Sequence, residues 1–332
     1  MKSCLLLLFC VLAITAGWSA DLRIGIIGSD TSHVPAFTKL INDPTDPNHV
    51  PGGRVTVLFK SGSRDIESSW SRVDQYATEV QEKFGVRLVD SVAALCKEVD
   101  VVLLESVDGR PHLEQARPVI QAGKPLFVDK PVAGTLRDAI ELYRLAQANR
   151  VPVFTSSAYR YYRSLTDLRQ QTQAQKIKGA ISYGPCELEP HHPDFFWYGI
   201  HPTEALFTIM GAGCQSVVRV NTADTDVATG IWADGRTGVL YGVRNSWAHK
   251  VIVFGEKGVL EQKEGGDSYA PLVVEIMKFF QTGIAPESPE ESLEIYAFME
   301  AADESKRQGG QPVKISDVME KNGGAGMLST SR

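Results

Sequence analysis

The chain is poor in cysteine, in basic clusters and in long apolar runs. Of five cysteines in 332 residues, Cys4 and Cys10 lie in an amino-terminal apolar stretch, which leaves Cys96, Cys186 and Cys214 for the rest. Three thiols do not make a disulfide framework, so buried free thiols are expected, with a Cys186–Cys214 bridge as the alternative should the fold bring that pair together. Lysine and arginine total 34 against 40 acids, a formal net charge of −6, and no tract concentrates them. Nucleic acid and an anionic membrane surface are therefore excluded as expected partners. The apolar run from Cys4 to Ala16 is too short to span a bilayer, so no integral membrane domain is expected in the mature chain.

That run follows Lys2 and ends in Ala16-Gly17-Trp18-Ser19-Ala20, the layout of a secretory leader over residues 1–20. No arginine pair precedes it, so export by the general secretory route, to the periplasm or the exterior, is the expectation; an uncleaved anchor is the rival. A protein exported this way crosses unfolded and meets any cofactor outside the cytoplasm.

What remains is ordinary globular material, 43% hydrophobic and 22% charged, and long enough for two cores. From Arg23 to Thr155, short apolar runs alternate with segments of helical periodicity: strands near 23–27, 55–59, 86–89, 99–104, 124–128 and 151–155, with helices between them. Six such steps predict an α/β domain over 21–156, a Rossmann-like parallel sheet wound on both faces. After Tyr159 the pattern changes to strands near 180–183, 217–220, 228–232 and 238–243, with an Asp234-Gly235 turn and closing helices at 272–282 and 293–306. This predicts a second, α+β domain over 157–332 with an open, mainly antiparallel sheet.

Within the first domain, the strand Leu126-Phe127-Val128 delivers Asp129, Lys130 and Pro131 to its carboxyl end, where ligands of parallel sheets bind. Gly123-Lys124-Pro125 before it, Asp129-Lys130-Pro131 after it and Thr135-Leu136 opening a helix resemble the Glu-Lys-Pro segment of the glucose–fructose oxidoreductase, inositol dehydrogenase and MocA family. The similarity runs from about Leu22 to about Val318. The resemblance implies an NAD(P)-dependent oxidoreductase acting on a sugar or polyol, with Lys130 beside the nicotinamide and the substrate hydroxyl and Asp129 as the acid before it. It also implies that His201, in Trp197-Tyr198-Gly199-Ile200-His201, is the acid/base partner, although the aspartate of the family's Asp-x-Gly-x-His segment is here Trp197.

A dinucleotide requires glycines where the first strand enters the first helix. Laid over the family's GxGxxG pattern, the chain reads Gly28-Ser29-Asp30-Thr31-Ser32-His33, and only the first glycine is kept. Gly28, Ser29, Asp30, Thr31 and Ser32 are the matching cofactor positions, with Asp30-Thr31-Ser32 as a plain helix cap being the bland alternative. Ser106 and His112 match the family's fourth-strand loop around the nicotinamide, and the resemblance counts Asp129 with them as a cofactor position. Lys60, Ser61 and Arg64 after the second strand stand where a ribose 2′-phosphate would lie and favour NADP over NAD, with a plain solvated loop as the alternative. On the substrate side, Arg160 matches the arginine of the family's Asn-x-Arg-Phe segment, while His192, Asp194 and Tyr198 stand where a polar pocket with an aromatic wall for a sugar ring is expected. His191, His192, Asp194 and Glu187 or Glu189 match no standard zinc spacing, and no metal is assigned. Two rivals to the redox reading stay open: a lyase, epimerase or hydrolase of carbohydrate on the same fold, without exchangeable nucleotide and with or without a metal, and a non-catalytic sugar-binding module. By analogy with the family, a homo-oligomer is expected.

Overall fold

The computed structural model describes residues 21–266 and 268–328; the expected leader, residues 1–20, lies outside them. The first half runs β1 (Leu22–Ile27), α1 (His33–Asn42), β2 (Gly53–Phe59), α2 (Glu67–Trp70), α3 (Val73–Phe84), β3 (Arg87–Val89), α4 (Val92–Cys96), β4 (Val101–Leu104), α5 (His112–Gln121), β5 (Leu126–Val128), α6 (Leu136–Asn149) and β6 (Val153–Thr155). These strands form one parallel sheet in the order β3-β2-β1-β4-β5-β6. The order reverses between β1 and β4, and the crevice beyond their carboxyl ends is where such a sheet receives ligands. Local sequence sets these elements clearly. Gly25 gives β1 room against Leu95, whose Cδ2 would lie 2.6 Å from a Cβ there. Thr135 caps α6 by accepting the Asp138 N–H at 3.1 Å.

A 3-10 turn (Ala158–Tyr161) leads into α7 (Arg163–Thr172), β7 (Ile177–Pro185), a π-turn (Phe195–Gly199), α8 (Ile200–Met210), β8 (Cys214–Asn221), β9 (Thr225–Trp232), β10 (Thr237–Val243), β11 (Lys250–Gly255), β12 (Gly258–Glu261), α9 (Ala270–Thr282), α10 (Pro289–Arg307), β13 (Val313–Lys314) and α11 (Ile315–Lys321). The second sheet has the order β12-β11-β7-β10-β9-β8-β13. It is antiparallel except for the β7–β10 pair, which is parallel. One face packs on α8 and α10. The other carries Val220, Ile231, Tyr241 and Phe254 exposed.

The division expected at residue 156 is crossed by α9. Its Leu272, Ile276 and Phe279 share a core with Ile24, Phe37, Phe127 and Phe154 of the first sheet, with Phe154 and Phe279 rings 5.6 Å apart. The second half thus supplies a covering layer of the first. Its own interior is tied by Arg219, a fully buried guanidinium that donates to Asp226 and Asp194 at 2.7 Å, pairs with Asp303 and stacks over Phe195. A buried charge is tolerable only with such complete partnering. Cys96, Cys186 and Cys214 are buried and free; the alternative Cys186–Cys214 bridge is not formed.

Candidate active site

β5 is buried throughout, and it ends in Asp129, whose N–H continues the ladder to Leu104 O at 2.8 Å. The Asp129 carboxylate is also buried. Its Oδ1 accepts the Lys130 N–H at 2.8 Å and its Oδ2 meets His33 Nδ1 at 2.7 Å. Burial opposes ionisation of Asp129, but the neighbouring His33 and Lys130 outweigh it and bring its pKa down to about 2. The result is a fixed anion that orients an imidazole from α1 and the backbone of the lysine.

His201 enters from the other half, on the first turn of α8. Its Nδ1 lies 2.7 Å from Ser157 Oγ. Glu204, one turn on, accepts the Ser157 N–H at 2.8 Å and the Ser156 hydroxyl at 3.0 Å, so the same helix fixes both the histidine and the segment that orients it. Burial first, then the Lys130 ammonium and His33, hold the His201 imidazole well below its ordinary pKa. It is neutral at pH 7, the form a general base requires.

Lys130 and His201 line one cavity of about 270 Å³, together with His33, Thr31, Ser32 and Val107. The rest of its lining is Arg72, Ala158, Pro185 and an aromatic group, Tyr159, Tyr162, Tyr198, Trp247 and Tyr269, with His249 set against Tyr159 at 4.2 Å between ring centroids. Tyr198 and Trp247 lie 5.3 Å apart at its mouth, the latter largely exposed. A larger hollow of about 530 Å³ lies beside α6 and the start of α10, lined by Tyr143, Leu293 and Glu287, and contains none of the residues nominated by the sequence.

Several nominated residues are committed elsewhere. Arg160 does not reach the cavity: it is buried, 2.9 Å from Glu291 and 3.6 Å from Glu287, with its Nε 3.5 Å from Glu204. Asp194 points away, held by Arg219 at 2.7 Å and Lys306 at 2.6 Å. His192 is buried with Nε2 3.0 Å from Asp108 Oδ1, joining the two halves rather than facing a substrate. Burial opposes ionisation of Asp108, but hydrogen bonds from His192, Arg110 and Ser63 prevail and hold it below the usual carboxylate range. His191 pairs with Glu189 instead, and no group of three or more potential metal ligands is gathered among the described residues. His112 lies beneath the site, its Nε2 2.8 Å from Ser106 O, and burial lowers its pKa. Ser106 is buried and donates to Gln115 at 3.0 Å, and Ser29 is buried as well. Beside them the Glu105 carboxyl has its pKa pushed well up, first by burial and then by the charge of Asp129.

Toward a dinucleotide, the site offers two different ends. At the cavity end, Thr31, Ser32, Val107 and Lys130 line open space beside the α1 amino terminus. Gly28 has φ +94°, and a Cβ there would stand 2.5 Å from Ser106 N, so only glycine makes this turn. The cavity end thus leaves room for part of such a group. Over the turn, Asp30 is fully buried, accepting the Ser69 hydroxyl at 2.6 Å and the Val107 N–H at 3.1 Å. Burial raises its pKa to about 6 despite those bonds. Its carboxylate therefore binds the protein, not a cofactor.

His33, Trp247, His249 and Tyr269 reach the cavity without a sequence signal that assigned them there. His33 reads only as a replaced packing glycine, yet the Asp129 beside Lys130 is what turns it inward. The other three lie at or near loop positions with no motif.

Glu287, in the Arg160 cluster, gives a pH prediction. Burial raises its pKa to about 7 against the opposing effects of Arg160 and Tyr161. Between its unfolded pKa and 7 the unfolded chain ionises first, so wild-type stability falls as pH rises through that window. Glu287→Gln removes this loss, on the order of 2–3 kcal/mol. Its Tm relative to wild type, measured by calorimetry, is expected to move upward from pH 5 to pH 8.

Comparison with known proteins agrees with this architecture. Residues 22–157 match the family described as oxidoreductase family, NAD-binding Rossmann fold (GFO_IDH_MocA). A Salmonella typhimurium protein named as an oxidoreductase, YceM, is 30% identical over 112 residues; the match spans 33% of this chain and 36% of that protein. Among solved structures, a protein of Thermotoga maritima described as a probable dehydrogenase is 21% identical with a TM-score of 0.73, over 90% of this chain and 100% of that one. An oxidoreductase of Agrobacterium radiobacter, solved with NAD+, L-tartaric acid and magnesium, is 15% identical with a TM-score of 0.71, over 90% and 99%. At these identities the solved structures establish the shared fold.

Proposed function

We propose that this chain, whose amino-terminal domain belongs to the NAD-binding Rossmann oxidoreductase family, is an enzyme that oxidises a sugar or polyol hydroxyl, or reduces the matching carbonyl. The observation that carries the reading is Lys130 and a neutral His201 sharing one cavity with aromatic walls. Such a cavity, with polar and charged groups facing aromatic rings, suits a small ring bearing hydroxyls. His201 removes the hydroxyl proton, and the Lys130 ammonium stabilises the oxygen as charge develops on it. NAD(P), when bound, supplies the hydride acceptor, with Thr31, Ser32, Val107 and Lys130 as the residues in reach of its nicotinamide end. Tyr198 and Trp247 are the proposed platform for the substrate ring, and Asp129 keeps the lysine segment and His33 in place. Absorbance at 340 nm across a sugar and polyol panel, with NAD+ and with NADP+, tests this. Lys130→Ala and His201→Ala are each expected to lower kcat by roughly 10²–10⁴-fold with KM little changed, and equal turnover in all three proteins would refute the assignment.

Asp30 over the glycine turn favours one second reading, a non-redox carbohydrate lyase, epimerase or hydrolase using the same proton-transfer pair. Turnover by protein shown by mass spectrometry to carry no nucleotide distinguishes it.

Two features of the chain support proposals about its setting. The apolar stretch after Lys2 supports export. The intact mass of protein recovered from the periplasm or medium should lack about the first twenty residues, and retention of the full mass inside the cell would overturn export. The exposed Val220, Ile231, Tyr241 and Phe254 on one open sheet face support a homo-oligomer formed through that face. Tyr241→Lys is expected to shift the sedimentation coefficient toward that of a monomer, and a wild type already monomeric at micromolar concentration would remove the proposal.

A further inference from the structure

The turn between β1 and α1 is covered by the chain itself. Residues 60–72, linking β2 to α3, cross the crevice beyond β1 and β4 as a strap. At its near end the Ser29 N–H donates to Ser61 O at 3.0 Å, and Gly62 sits so close that a Cβ there would stand 3.2 Å from Asp30 Cβ. In its middle the Ser63 N–H donates to Ser69 Oγ at 2.7 Å, and that hydroxyl donates on to Asp30. At its far side the Ser63 hydroxyl donates to Asp108 at 2.5 Å, and Arg110 clamps both oxygens of Asp65 at 2.8 Å. The strap thus touches both loops that flank the switch point of the sheet. Beneath it, Asp30 stands at the amino terminus of α1 and takes the Val107 N–H.

A helix amino terminus at the switch point of such a sheet is the seat of a pyrophosphate. We propose that Asp30, held by the strap, is an internal occupant of that seat and sets the chain's affinity for dinucleotides, because the carboxylate and the pyrophosphate exclude one another. The inference rests on the oxidoreductase reading and deepens it: Asp30 becomes a specificity-determining residue that selects against freely exchanging NAD(P). Like charges crowded in a partly desolvated site repel strongly. The strap has to lift, breaking the Ser69–Asp30 contact, before the phosphates can enter.

The test is binding, not turnover. NADH and NADPH are titrated by fluorescence into wild type, Asp30→Gly, Asp30→Asn and Ser69→Ala, with Asp43→Asn as a control that removes one half-buried carboxylate at the far end of α1. Asp30→Asn keeps the side-chain shape, so the test does not depend on the glycine variant folding. Asp30→Gly and Asp30→Asn are expected to bind at least about ten-fold tighter than wild type, Ser69→Ala to associate faster, and the control to match wild type. Amide exchange over residues 61–71 should rise when wild type is saturated with nucleotide. Equal Kd values for wild type and the Asp30 variants, or a strap that stays protected in the saturated protein, would overturn the inference while leaving the oxidoreductase reading intact. No binding by any of these proteins at ~1 mM would overturn both.

Discussion

The buried carboxylate at the end of β5 organises the centre of this molecule. Asp129 is ionised where burial disfavours charge, and it stays so because His33 and the Lys130 segment surround it. That one anion couples three parts of the fold: the sheet that delivers it, the helix α1 that contributes His33, and the lysine that faces the cavity. Around it, neighbouring groups are pushed toward their neutral forms for the complementary reason. Glu105 has no counter-charge and is driven toward its acid form, while His201 and His112 are buried and driven toward their bases. The site's charge pattern is therefore set by who has a partner, not by which residue types are present.

The same logic separates cavity residues from tie residues. Arg160, His192 and Asp194 are all polar, all near the second-half motifs, and all turned to side-chain partners that hold elements together. A group held by partners of opposite charge is fixed in place, and here each is fixed facing away from the cavity. His201 differs because only its Nδ1 is engaged by Ser157, and its ring borders open space.

The sequence made the parallel sheet legible because short Val/Ile/Leu runs buried on both faces alternate with helices at regular intervals. Lys130 was legible because it follows directly on a buried strand of that sheet, and parallel strands receive ligands beyond their carboxyl ends. Pairing it with His201 came from the resemblance. What periodicity could not reveal were contacts between distant segments. Nothing local in Asp194 shows that Arg219 and Lys306 will claim it, and nothing in Asp30 shows that Ser69 will reach it from 39 residues away. Helix α9 was read correctly as a helix, but its apolar face carries no record of which sheet it will cover. Trp247 and Tyr269 lie outside the regular pattern, so their approach to the cavity is a property of the assembled chain.

That placement of α9 bears on how the polypeptide is made. The amino-terminal sheet emerges first, from ribosome or export channel alike, yet Phe127 and Phe154 pack against Phe279, which follows more than a hundred residues later. Until then an oily flank of the nascent sheet stays bare, and the first half cannot reach its final packing as a separate unit. The join between halves is consequently a step in maturation: a fragment ending at residue 156 would lack the helix that seals it, and completion of the early sheet waits on the late helix.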